Sequence, residues 1–166
     1  LRAFPVRDRM SQAERDVSSR LEETRMNVAA ILKLKGREVF TTTPDTALLN
    51  ITKLLGLHGI GCIVVTSEDG KVVGIVSERD VVREIARAGS KVLKEPVETC
   101  MTKNVVSCRE CDTIDRLMAE MTAHRFRHMP VIDRGRLVGL VSIGDVVRMR
   151  IAEAEMEAAA GKGGDS

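Results

Sequence analysis

The chain has 166 residues, with 26 Lys and Arg against 24 Asp and Glu for a net charge of +2, and an aromatic content of 2% without Trp or Tyr. That balance excludes a basic nucleic-acid footprint and a base-stacking platform. The longest apolar stretch, 60–65, is far shorter than the roughly 20 residues a membrane helix needs, and the charged N-terminal part lacks a signal-peptide apolar core. A cytoplasmic protein with neither nucleic acid nor membrane as partner is expected.

Residues 1–26 carry few apolar positions and are expected to form a partly disordered or helical extension. Val28, Ile31, Leu32 and Leu34 then fall at helical spacing, with Gly36 as a helix end. A short strand is expected around Val39, Phe40 and Thr41. Thr43, Pro44 and Asp45 follow as a helix start, with Thr or Asp as the cap; Leu48, Ile51, Leu54 and Leu55 line one face, and Gly59 ends the helix. The runs from Ile60 to Thr66 and from Lys71 to Val76, joined by Glu68, Asp69 and Gly70, read as a hairpin. Ser77 to Arg87 is the next helix, ending near Gly89.

The order then repeats: a strand at Val105 and Val106, a helix from Asp112 to His124, strands from Met129 to Ile132 and Leu137 to Val141, and a helix from Ser142 to about Met156. The repetition is also literal. Gly74-Ile75-Val76-Ser77-Glu78-Arg79-Asp80 returns as Gly139-Leu140-Val141-Ser142-Ile143-Gly144-Asp145, and Asp45-Thr46 as Asp112-Thr113. The length difference between the copies falls in a turn, Ser67 to Gly70 against Arg134-Gly135, where insertions are tolerated. The fold class expected is therefore α/β (α+β), two tandem β-α-β-β-α repeats with pseudo-two-fold symmetry. The divisions are an extension over 1–26, repeats over 27–90 and 91–155, and a flexible tail over 156–166.

Ser77 and Ser142 stand where a strand passes into a helix, so each hydroxyl can cap free amides or face a phosphate at the helix N-terminus. Asp80 and Asp145, three residues on, favour the positive helix end and can accept two hydroxyls from a ribose. For a single such pair, capping is the simpler role. Its recurrence beside Gly74 and Gly139, which would let a ligand approach the backbone, favours binding. His58 and His124 read as solvated or capping groups and Met118, Met121 and Met129 as core, and no metal site is expected.

On these residues, together with Arg127-His128-Met129-Pro130-Val131 and Met101-Thr102, the stretch from Val28 to Ile151 resembles a tandem pair of cystathionine-β-synthase (CBS) domains, or Bateman module. Ser77-Glu78-Arg79-Asp80 resembles the short stand-alone bacterial members. The resemblance implies adenosyl nucleotides bound in clefts between the repeats, and two pairs joined as a flat homodimeric disc. It implies a stronger cleft with Asp145 and Ser142, Arg127 and Arg79 for phosphate, and Val39 and Phe40 against the adenine. A weaker cleft would have Asp80, Ser77, Val105, Val106 and His128, because Ile60 and Gly144 stand at the first repeat's and second repeat's counterparts of the two arginines.

The function so implied is a non-catalytic regulatory module sensing energy or redox state. It has no catalytic residue and no catalytic cofactor, takes AMP first with NAD(H) or ATP next, and acts on an unidentified regulated protein. No nucleophile, base and orienting group are visible together. Two alternatives stand beside it: a thiol redox or metal-binding protein using Cys108 and Cys111, and the detached regulatory insert of an enzyme such as inosine monophosphate dehydrogenase.

Overall fold

A computed structural model of the protein describes residues 11–16 and 26–162. Residues 12–16 form a short helical turn; the rest of the expected extension before Met26, and the tail after Lys162, lie outside the described residues. The elements that follow are α1 (Val28–Lys35), β1 (Thr41–Thr42), α2 (Leu48–His58), β2 (Cys62–Thr66), β3 (Val72–Ser77) and α3 (Glu78–Ala88). Two 3-10 turns, Ser90–Lys94 and Val97–Thr99, lead to α4 (Ile114–His124), β4 (His128–Asp133), β5 (Arg136–Ser142) and α5 (Ile143–Lys162).

β1 pairs in parallel with β2, which pairs antiparallel with β3; β4 and β5 form the second antiparallel pair. The hairpins are copies of each other down to the irregularity, since both ladders shift register at the same place, between Val65 and Thr66 and between Val131 and Ile132. The two initial strands are shorter than expected. Val39 and Phe40 stay outside β1, with only the Phe40 carbonyl accepting from the Val64 amide at 3.2 Å. Val105 and Val106 form no strand, and the ladder there is a single bridge from Cys108 to Val131.

Each repeat has its own core, and each core is completed by the segment that precedes the other repeat's first strand. Val28, Ile31 and Leu32 of α1 bury among Ile114, Leu117, Met121, Met129 and Val141, so α1 packs in the second core although it precedes the first repeat. Val92, Val97 and Met101, from the connection between repeats, complete the first core around Leu48, Ile51, Ile63 and Val76. The backbone mirrors this exchange. Val28 donates to Asp112 O and Ile114 to Met26 O, as Leu48 donates to Glu95 O and Val97 to Thr46 O.

That exchange explains two departures from expectation. Thr43 and Asp45 do not cap α2: residues 43–46 close a turn through the Thr43 and Asp45 side chains, Ala47 is the N-cap, and the Leu48 amide is satisfied by Glu95. The motif glycines serve packing rather than ligand approach. A Cβ on Gly74 would lie 2.3 Å from Met101 Sδ, and one on Gly139 2.6 Å from Leu32 Cδ2, so each glycine is the notch that receives the exchanged segment. The last helix also runs to Lys162 rather than fraying near Met156.

Candidate functional site

The capping expectation holds at both motif serines' helices, with different consequences for the two aspartates. Ser77 caps α3 through a complete capping box: its hydroxyl oxygen accepts the Asp80 amide at 3.3 Å, while Asp80 Oδ2 accepts the Ser77 amide at 2.8 Å. The Ser77 hydroxyl also lies 3.0 Å from Oδ2. This leaves Oδ1 with one neighbour, the largely exposed Arg83, at 3.4 Å. At the second motif Asp145 Oδ2 accepts the Ser142 amide at 2.9 Å, and the Asp145 amide donates to the Ser142 hydroxyl. Both Asp145 oxygens then meet cations: Lys35 Nζ lies 2.6 Å from Oδ2 and Arg148 Nη2 2.7 Å from Oδ1.

Asp145 is correspondingly the more buried, at 8% exposure against 14% for Asp80. Burial pushes its carboxyl up, but the hydrogen bond from Lys35, the Ser142 amide and the Lys35 charge outweigh that and hold it below the ordinary carboxylate value. It remains an ionised acceptor, with Oδ2 shared by the Ser142 amide and Lys35 and Oδ1 held by Arg148.

A cavity of about 510 Å³ opens between the repeats on the Asp80 side. The first repeat contributes Gly61, Ile75, Ser77, Arg79, Asp80 and Arg83; the connecting segment Thr102, Asn104, Val105 and Val106; the second repeat His124 to His128, Ser142 and Ile143. All five residues expected in the weaker cleft, Asp80, Ser77, Val105, Val106 and His128, therefore meet here. So do Arg79, Arg127 and Ser142, which were expected beside Asp145. A separate pocket of about 290 Å³ borders Asp145 and is lined by Ile31, Leu34, Lys35, Arg148, Met149 and Ala152. Val39 and Phe40 are not among the described residues lining either cavity; the Phe40 ring packs on His58 with centroids 4.3 Å apart.

Strand register explains the placement of Arg127. Cys62 pairs with Ser77 and His128 with Ser142, while Glu78 donates to Gly61 O and Ile143 to Arg127 O, so the counterpart of Arg127 is Gly61 and not Ile60. Gly61 and Arg127 both line this cavity. A Cβ on Gly61 would lie 3.3 Å from His128 Cε1, so glycine here leaves room for the imidazole. Burial, chiefly, then the nearby Lys35 charge, lowers the His128 pKa and favours the neutral ring.

Several lining residues escaped the sequence reading. Arg83 follows Asp80 at i+3, a spacing that by itself signals no more than a pair on one helix face. Arg125 ends α4 in the left-handed conformation at φ 57°, where the first repeat has Gly59 at φ 60°. A non-glycine residue there costs about 1 kcal/mol, and the consequence is a further guanidinium on the cavity wall. His124 lies 3.4 Å from Glu120, stacks on Phe126 and borders the same cavity. Four arginines thus face two carboxylates, Glu78 and Asp80, with Ile75, Val105 and Val106 as apolar wall. Such a cavity can receive an anion and a flat apolar group together.

The buried cysteines offer little reactivity. All four are free; Cys108 is buried and its thiol pushed up to about 12 by burial, while Cys111 is exposed. A raised thiol pKa is the opposite of a reactive thiolate. Among the described residues no group of three or more His, Cys, Asp or Glu is placed to hold a metal ion, and no helix is long and apolar enough to cross a membrane.

Comparison with known proteins gives the arrangement a context. The family model for the CBS domain matches twice, over residues 33–87 and 97–151. A mitochondrial CBS-domain-containing protein of Arabidopsis thaliana is 32% identical over 155 residues, covering 86% of this chain and 75% of the relative. An uncharacterised 17.7 kDa protein of Acidianus ambivalens is 34% identical over 112 residues, 67% of this chain and 66% of that one. A crystal structure of a CBS-domain protein from Agrobacterium tumefaciens superposes with a TM-score of 0.73 at 48% identity, over 75% of this chain and 92% of the other. The CBS-domain pair of protein MJ0100, solved with 5′-methylthioadenosine and S-adenosyl-L-methionine, gives a TM-score of 0.69 at 25% identity, over 78% and 98% of the two chains.

Proposed function

The chain belongs to the CBS-domain family, and from that premise we propose that it is a non-catalytic regulatory module that binds an adenosine nucleotide in the cavity bordered by Asp80. The observation that carries this reading is the convergence, in one cavity between the repeats, of a carboxylate whose Oδ1 has only the exposed Arg83 near it, at 3.4 Å, with four guanidiniums and an apolar wall. Asp80 Oδ1 accepts the ribose hydroxyls, Val105, Val106 and Ile75 pack on the adenine, and Arg79, Arg83, Arg125 and Arg127 take the phosphate. The adenosyl ligands of the MJ0100 pair support the nucleoside part, and the arginines favour a phosphorylated nucleoside, AMP first and ATP or NAD(H) next. This moves the principal site from Asp145 to Asp80.

The module acts as a homodimer on a regulated protein. In the repeated Val-Val-Arg triplets, Val81 and Val146 are buried while Val82 and Val147 are exposed, which leaves α3 and α5 with apolar surface for a second copy. Native mass spectrometry of the purified protein, alone and with AMP, ATP, NAD or S-adenosylmethionine, reads occupancy and subunit count together. The expected result is a dimer with one phosphorylated nucleotide per chain. Failure of all four ligands to bind would overturn the functional reading.

A further inference from the structure

The exchanged segments place different side chains at equivalent points of the two motifs. Leu32 and Met101 fill the notches at Gly139 and Gly74, so they correspond, and three residues beyond them stand Lys35 and Asn104. Asn104 lines the open cavity beside Asp80, whereas Lys35 reaches into the motif beside Asp145. Its ammonium donates to Asp145 Oδ2 at 2.6 Å and to the Leu140 carbonyl at 2.9 Å. The Lys35 side chain is 36% exposed and Asp145 8%, so the cation closes the site from its rim.

A nucleoside needs an accessible aspartate carboxylate, and at Asp145 Lys35 holds Oδ2 at 2.6 Å and Arg148 holds Oδ1 at 2.7 Å, whereas Asp80 has no counterpart of Lys35 and meets only Arg83, at 3.4 Å. Displacing Lys35 would leave a buried carboxylate short of a charged partner, and removing one member of such a pair is strongly unfavourable. We infer that Lys35 is a specificity-determining residue, an internal cation that occupies the Asp145 motif and limits the chain to one nucleotide. This rests on the proposed nucleotide site at Asp80 and adds the reason its counterpart stays empty of ligand. It also gives α1 a role beyond packing, since opening the second motif requires the C-terminal end of α1 to release Asp145.

The test is calorimetric titration of AMP into the full chain and into Lys35→Met, which keeps the apolar stem and removes the ammonium. The expected result is one site per chain in the wild type and two in Lys35→Met, with Asp145→Asn in the Lys35→Met background returning the count to one. Circular dichroism and melting of each variant establish that the folded protein is being titrated; should Lys35→Met not fold, Lys35→Gln replaces it with a neutral side chain that can still donate to Leu140. One site in both the wild type and the neutral variant overturns the role of Lys35 while leaving the Asp80 site intact. Two equivalent sites in the wild type also overturn it. No binding by either protein removes the nucleotide reading itself, and this inference with it.

Discussion

Asp80 and Asp145 occupy the same place in the two repeats and each accepts the amide of its own N-cap serine, yet Asp145 holds Lys35 at 2.6 Å and Arg148 at 2.7 Å while Asp80 meets one cation, Arg83, at 3.4 Å. Asp80→Asn preserves an N3 residue able to complete the cap but removes the charge-assisted contacts to ribose, so AMP affinity should fall by roughly 1.5–3 kcal/mol with melting temperature little changed. Calorimetry and thermal melting check the two halves of that statement. His128 supplies a pH dependence. Its folded pKa lies below the ordinary histidine value, so the folded state binds fewer protons than the unfolded one; stability is fully present above the ordinary value and declines as pH falls from there through the lowered one. Melting temperature should therefore drop between about pH 7 and pH 5, and His128→Asn should flatten the profile; an unchanged slope in that variant would remove the assignment. Both residues were legible as motif members, because Ser-x-x-Asp and the strand start are local patterns. The ion pair of Asp145 with Lys35 was not, since Lys35 comes from a segment 110 residues away in sequence.

At the scale of elements, the sequence revealed the repeat but not the exchange of the segment preceding each repeat. Helical spacing at Val28, Ile31 and Leu32 identifies an apolar face without saying which core receives it, and chain order pointed to the nearer one. The receiving notches are Gly139 and Gly74. Replacing Gly139 by Ala drives a methyl group into Leu32, which is almost fully buried and boxed in by the second core, and should cost about 1–3 kcal/mol. Gly74→Ala meets the flexible thioether of Met101, half-exposed at its edge, and should cost less. Leu32→Ala should destabilise by about 2–5 kcal/mol through the cavity it leaves, although Leu32 lies ahead of the first repeat. Chemical denaturation of the three variants checks the order; equal losses for the two glycine substitutions would contradict the packing argument. The short first strand of the second repeat has a related cause: the ladder there, a single bridge from Cys108 to Val131, gives way to cavity wall at Val105 and Val106.

For the whole molecule, the consequence of the pseudo-two-fold is that one cavity gathers groups from both repeats and from the segment joining them. A ligand there binds only the assembled pair, so it should stabilise the chain by mass action, about 2.7 kcal/mol at a hundredfold excess over Kd. Its phosphate contacts should make binding weaken with added salt. Arg127→Ala and Arg79→Ala should each weaken AMP more than adenosine, because the nucleoside never makes the guanidinium contact. The most direct test of the central claim is calorimetric titration of AMP into the wild type, Asp80→Asn and Asp145→Asn. The account predicts one site per chain in the wild type, affinity reduced by roughly tenfold or more in Asp80→Asn, and affinity close to wild type in folded Asp145→Asn. Unchanged binding in Asp80→Asn together with loss of binding in Asp145→Asn would contradict it and return the nucleotide to the second motif.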